Sequence, residues 1–441
     1  MSLPRYPEYK ESGFEWLGAL PSHWYVRKFR HSFQESIEKI DGDVIGPMLS
    51  VSGYRGIEIK DYDDENRRRT DDELQGYRIV RPGQLVVNTM WLNYAGLGVS
   101  QHEGHVSPAY RAYSISKDFE PRFVHHMMRS GEFVKGYTKF LTGIRPNSLQ
   151  MSRDDLMEFR VAEPPREEQI AIADFLDRET AKIDALIAEQ EKLLALLAEK
   201  RQATISHAVT RGLDPNVPMK GSGIPWLGEV PAHWEHLQLG RLCTKVSDGP
   251  HFSPSYVEEG GVMFLSARNV RVDGWSLSDA KFVSEADYRE FCKRVIPEVG
   301  DILYTKGGTT GIARVVDLDF RFQVWVHVAV LKINKDAVLP HYVAYALNSI
   351  GCYEQSQLYT RGATNQDLGL TRMIRILLAL PPIEEQAEIV SFLDGATAKI
   401  DLLRAQGLRT VELLRERRSA LITAAVTGQI DVRGAVEREA A

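Results

Sequence analysis

At 441 residues the chain is too long for a single hydrophobic core, and two or more domains are expected. Its 43 % hydrophobic and 26 % charged residues are ordinary for a soluble globular protein, and no apolar run nears the roughly 18 residues of a membrane span. The net charge of −6 lacks the basic surplus of most nucleic-acid binders, yet the acid is unevenly placed: residues 162–200 hold 5 Lys/Arg against 10 Asp/Glu, while residues 25–160 hold 20 against 19 and residues 236–378 hold 16 against 15.

Residues 1–24 form an opening segment with no apolar stretch of the signal-peptide kind, closing on Trp16-Leu17-Gly18-Ala19-Leu20-Pro21-Ser22-His23-Trp24. Residues 25–163 read as a mixed α/β block of short strands, such as Gln84-Leu85-Val86-Val87, with a glycine-bounded loop from Gly143 to Leu149. Residues 164–212 begin Pro-Pro-Arg-Glu-Glu-Gln. Proline fits a first helical turn, and the two glutamates suit the positive end of the dipole. The helix that follows, about 40 residues and on the order of 60 Å long, carries Ile183, Leu186, Gln190, Leu193 and Leu197 at spacings of three and four, with Ile187 and Leu194 widening the stripe.

Residues 213–235 are a second opening segment and residues 236–380 a second mixed block. That block offers strands at Asp301–Tyr304 and across the run Val324–Leu331, a turn at Gly307-Gly308-Thr309-Thr310-Gly311, and a loop from Gly362 to Leu368. Residues 381–430 predict a second long helix, with Ile400, Leu403, Gly407, Thr410 and Leu414 in its stripe, and residues 431–441 a flexible tail. Cys243, Cys292 and Cys352 lack CxxC spacing and read as reduced thiols, so a cytoplasmic protein without a metal site is expected.

The two halves repeat. Six of the nine residues from Trp16 to Trp24 recur from Trp226 to Trp234, and 14 of the 21 residues at 164–184 recur at 381–401, an offset of 217. The blocks between hardly resemble each other. One fold used twice, with two different surfaces, is the simplest reading. The matched stripes predict that the two long helices pair antiparallel, with Ile183, Leu186, Leu193, Leu197, Ile400, Leu403 and Leu414 in the coiled-coil seam and one block at each end.

The duplicated Trp-Leu-Gly-x-x-Pro-x-His-Trp segments, the Pro-Pro-x-Glu-Glu-Gln…Phe-Leu-Asp helices and the exits at Ala208-Val209-Thr210 and Ala425-Val426-Thr427 resemble, in this order, the specificity subunits of Type I restriction-modification enzymes. The resemblance implies an α+β fold: two target recognition domains joined by an antiparallel pair of long helices. It implies a non-catalytic subunit without a cofactor, binding double-stranded DNA at a bipartite site, one half-site per block. It also implies two methyltransferase (modification) subunits and restriction (motor-nuclease) subunits as partners, which would use S-adenosylmethionine, ATP and Mg²⁺.

The residues carry no strong catalytic pattern. Neither Pro-Pro pair follows Asn or Asp as a base-flipping methyltransferase motif requires, and no GxxxxGK[ST] phosphate loop occurs. Glu58-Ile59-Lys60 and Asp279-Ala280-Lys281 match only a short nuclease triplet, and His102, His105, His125 and His126 lack helical ligand spacing. DNA-contact candidates are Arg67, Arg68 and Arg69, which could equally be a solvated mixed-charge loop. Arg145, Asn147, Asn365 and Gln366 lie in glycine-bounded loops, since Arg reads guanine and Asn or Gln reads adenine; Lys306 and Thr309 are candidates for phosphates. A coiled-coil adaptor that binds only protein is the alternative, though it would not need two divergent blocks.

Overall fold

Each block is tied at its base by its own first and last strands. Tyr25–Lys28 pairs antiparallel with Arg160–Glu163, and Glu235–Gln238 pairs in the same way with Leu377–Leu380. The computed structural model describes residues 3–62, 69–143, 149–362 and 366–434. It divides into two units: residues up to 190 with those from 410 onward, and residues 191–409. Each unit thus takes one block and a stretch of both long helices, Arg166–Arg211 and Ile383–Val426. None of the described helices is long and apolar enough to cross a membrane.

In the first unit an antiparallel sheet runs in the order Phe33–Glu35, Arg111–Ile115, Leu85–Val87, Leu97–Val99. Its core gathers Trp24, Phe29, Phe33, Tyr113, Phe123 and Phe133 with Ile172 and Leu176 of the central helix and Ile422 and Val426 of the C-terminal helix. In the second unit the order is Cys243–Asp248, Val328–Ile333, Ile302–Thr305, Ala313–Val315, again antiparallel. There the core joins Trp234, Tyr304 and Tyr342 to Ile205 and Val209 of the central helix and Ile389 and Leu393 of the C-terminal helix. In both units the early turns of one long helix meet the late turns of the other, which makes the pair antiparallel.

The blocks differ in what is added to this shared sheet. The first carries two hairpin-like pairs, Leu49–Ser52 with Gly56–Ile59 and Arg78–Val80 with Gly104–Val106. The second carries a four-stranded mixed sheet in which Val262–Leu265 runs parallel to Phe322–Val324. The run Val324–Leu331, expected as one strand, is two. Phe322–Val324 ends in one sheet, a turn closes through Val328 N–H to the Trp325 carbonyl at 2.9 Å, and Val328–Ile333 enters the other. An apolar run buried on both sides has no period that betrays such a corner.

The repeated motifs do the same work in both units. Glu168 accepts hydrogen bonds from His23 Nε2 at 2.7 Å and Trp24 Nε1 at 2.9 Å, and Glu385 from His233 at 2.8 Å and Trp234 at 3.0 Å. Gln169 and Gln386, both buried, accept from the backbone N–H of Glu120 and Leu339, the residues preceding the helices Pro121–Arg129 and Pro340–Leu347. Each motif therefore satisfies an orphan helix-start donor of its own block.

The helix seam needs one correction. Ile183, Leu197 and Ile400 are buried and Leu414 half-buried, but Leu186, Leu193 and Leu403 are 54 %, 45 % and 50 % exposed. The occupied positions are Ile183, Ile187, Gln190, Leu194, Leu197 and Arg201, and, 217 further on, Ile400, Arg404, Gly407, Val411, Leu414 and Arg418. Both sets obey the three-four spacing after Ile183, so the sequence pattern could not choose between them. Two arginines thus sit in the seam. Arg418 Nε lies 2.9 Å from Asp184 in the first unit and Arg201 Nε 3.0 Å from Asp401 in the second. Both members of the two pairs are related by the offset of 217.

Candidate nucleic-acid interface

In the second unit the turn after Ile302–Thr305 is laced to the loop 361–367. The Leu368 N–H donates to the Lys306 carbonyl at 2.8 Å, the Gly308 N–H to the Gln366 carbonyl at 3.3 Å, and Arg361 and Asp367 exchange a pair of backbone bonds. Glycine is required at 307, where a Cβ would stand 2.1 Å from His327 Nδ1. The lacing brings Lys306, Thr309 and Gln366 into one place, with Thr309 and Gln366 exposed. Lys306 differs: it is buried, its ammonium 3.0 Å from Asp367 and 3.4 Å from Asp248. Asp248 also binds Arg294 and lies 3.2 Å from His251. To meet a phosphate, Lys306 would have to exchange two carboxylates for it. Asn365 lies outside the described residues.

The first unit builds its counterpart from different side chains. The Met151 N–H donates to the Thr89 carbonyl at 3.2 Å, and Thr142 and Gln150 bond each other's backbone at the neck of the glycine-bounded loop. The facing turn, residues 88–96, exposes Trp91 and Tyr94, whose rings meet edge-on at 5.9 Å. Arg145 and Asn147 lie outside the described residues, as do Arg67 and Arg68. Arg69 lies elsewhere in the unit, its guanidinium 5.5 Å from the Tyr77 ring, beside Lys60, Tyr62 and Asp71 around a cavity of about 380 Å³.

Two half-buried groups hold the 88–96 turn and the strand Leu97–Val99 that follows it. Arg129 donates five hydrogen bonds to carbonyls, of Ser52, Gly53 and Tyr54 on one side and Ala95 and Leu97 on the other, at 2.6–3.3 Å. Burial lowers its pKa to about 10, so it keeps its charge at neutral pH. His125 Nδ1 accepts from the Val99 N–H at 3.3 Å, and burial, reinforced by the charge of Arg129, pushes its pKa down to about 3. A neutral imidazole is what that acceptor role needs. The outcome in each unit is a firmly held sheet end presenting polar or aromatic loops, a surface able to meet base edges or sugar-phosphate.

Residues 231–413 match the family described as Type I restriction modification DNA specificity domain. The chain is 24 % identical over 450 residues to the putative type I restriction enzyme MjaX specificity subunit of Methanocaldococcus jannaschii, covering 96 % of this chain and 98 % of that one. Both findings point to the specificity subunits of type I restriction enzymes. The EcoKI specificity subunit of Escherichia coli (strain K12) is also 24 % identical, over 327 residues that cover 70 % of this chain and 65 % of the relative. Its fold is that of a solved chain from work on complex assembly and conformational transition of the type I R-M system, with TM-score 0.64, 18 % identity, and 92 % and 98 % of the two chains covered.

Sequence reasoning overlooked Trp91 and Tyr94. The signal was present: two large aromatics in a turn bounded by Asn88 and Gly96, where a core strand would not place them. It also left His23 and His233 without partners, although Glu168 and Glu385 stood in the other repeated motif.

Proposed function

We propose that this subunit reads a bipartite double-stranded DNA site, with residues 25–163 and 236–380 as the two target recognition domains, one half-site each. It has no catalytic centre or cofactor of its own, and docks two methyltransferase subunits together with restriction subunits. One observation carries the reading: a shared frame (base strand pair, four-stranded sheet and glutamate latch) supports two different sets of additional strands and two different sets of loop side chains. A frame kept twice with two dissimilar surfaces suits a device that reads two different half-sites.

The base strand pair also brings the ends of each block together, so a block can be exchanged as a unit. Replacing residues 25–163 with a foreign recognition block should change one half of the methylated sequence and leave the other unaltered. Methylome sequencing of a host carrying the chimera and its methyltransferase reads this directly. A change in both halves would refute independent reading. Native mass spectrometry of the co-expressed complex tests the partnership, and a stable one-to-one assembly with the methyltransferase would refute two docking surfaces.

A further inference from the structure

In each unit a cleft opens between the recognition block and the long helices, and both clefts are lined with arginine. The first, about 460 Å³, is bounded by Arg55 and Arg129 from the block and by Arg415 and Arg418 from the C-terminal helix, with Asp184 the one acidic residue. The second, about 580 Å³, is bounded by Arg268 and Arg271 from the block and by Arg201 and Arg404 from the helices, against Asp273 and Asp279. Counting these side chains gives +3 for the first cleft and +2 for the second, in a chain whose net charge is −6.

The recurrence is not accidental to one block. Arg201 and Arg418 occupy the same position of the repeat, 217 residues apart, and each lines the cleft of its own unit. Their pairing with Asp401 and Asp184 makes them walls, held in place by the seam. The block supplies the reach. Arg268 and Arg271 are exposed on and just beyond the turn Ala267–Asn269, and Thr309 of the reading turn lines the same cleft. Arg55 is exposed on the loop whose carbonyls Arg129 holds.

We infer that these clefts seat the DNA sugar-phosphate backbone beside each half-site, on the side of the long helices. This rests on the DNA-reading function proposed above. Each cleft takes arginines from both its walls, so two of them can meet neighbouring phosphates of one strand. Guanidinium groups on opposite walls match phosphate oxygens in pairs and carry no sequence information, so the contacts fix register rather than read bases.

The test uses the assembled methyltransferase complex, with the double variants Arg268→Gln/Arg271→Gln and Arg55→Gln/Arg415→Gln, and a fluorescent duplex as cognate or scrambled probe. The slope of log affinity against log salt should fall by about 1.8 for each pair of lost phosphate contacts. A fourfold rise in salt would then weaken the wild type about twelvefold more than the variant. Cognate and scrambled duplexes should weaken equally, the methylated sequence should stay the same, and Arg268→Lys/Arg271→Lys should restore the slope. An unchanged slope in an assembled variant overturns the inference, as does an altered methylated sequence. Loss of methyltransferase assembly with DNA binding intact also overturns it, in favour of a protein partner. A wild-type complex with no preference for any duplex refutes DNA reading itself, a failure visible before any variant is made.

Discussion

Removing Asp401 should cost the second unit more than removing Asp184 costs the first, although the two residues are the same position of the repeat. Arg201 is 11 % exposed at its side chain and Asp401 30 %, whereas Arg418 and Asp184 are 21 % and 39 % exposed. Breaking a buried pair strands a charge and costs about 3–5 kcal/mol, while an exposed pair contributes about 0–1 kcal/mol. Asp401 is partly wetted, which places Asp401→Ala at about 2–4 kcal/mol. Asp184→Ala should cost about 1 kcal/mol, because Arg418 keeps the face of Tyr54, 5.1 Å away, and more water. A protein of two units need not unfold in one step, so global melting is a poor reporter. Hydrogen exchange of helix peptides spanning 194–208 reads the seam locally. There Asp401→Ala should speed exchange by about thirty- to several-hundred-fold, at a factor of ten per 1.4 kcal/mol. A double-mutant cycle on Arg201 and Asp401 should return a coupling above about 1 kcal/mol, and the exchanged pair Arg201→Asp/Asp401→Arg should recover part of the protection. A coupling below about 0.5 kcal/mol, or equal costs at the two repeats, would show that burial does not set the strength of these pairs.

The pH dependence of the first unit should carry the mark of His125. Its folded pKa lies near 3 and its unfolded value near 6.5, so the stabilisation is complete above pH 6.5 and is lost as pH falls from 6.5 toward 3, by up to about 1.4 kcal/mol per pH unit. His125→Asn, which keeps an acceptor for the Val99 N–H, should flatten that slope in exchange measurements on residues 85–99, and an unaltered slope would clear His125 of the effect. Arg129→Ala should release five carbonyls at once, costing about 3–5 kcal/mol, and expose the 88–96 turn to limited proteolysis. Resistance equal to wild type would contradict the clamp. Glu168→Gln should destabilise more than Glu385→Gln in paired exchange experiments. Glu168, with a side chain 8 % exposed, also accepts from Tyr6 at 3.1 Å and lies 3.3 Å from Arg433, whereas Glu385 is 25 % exposed. The reverse order would refute the buried latch.

How much of this was legible beforehand can be followed residue by residue. The duplication, the two long helices and their Pro-Pro starts follow from local chemistry: proline at a first turn, glutamates at the dipole's positive end, an apolar stripe of period near 3.5. The likeness of the two blocks was hardly legible, because an antiparallel sheet asks for apolar character at its positions and leaves identity free. The strand break at Trp325–His327 was not legible at all. A residue buried on both sides looks the same whether the chain runs straight or turns a corner.

The sequence by itself determined that the chain is a frame used twice, since a repeat at constant offset needs no third dimension to be seen. Only the tertiary structure decided which face of each helix is the seam. Ile183 is followed equally well by Leu186 or Ile187, and both choices satisfy helical periodicity; what settles it is the partner helix meeting one of them and leaving the other in water. The same holds for Asp401 and Arg201, 200 residues apart in sequence and 3.0 Å apart in space. Local propensity specifies elements, but a pairing between distant residues depends on how two surfaces fit, and that fit is a property of the packed chain.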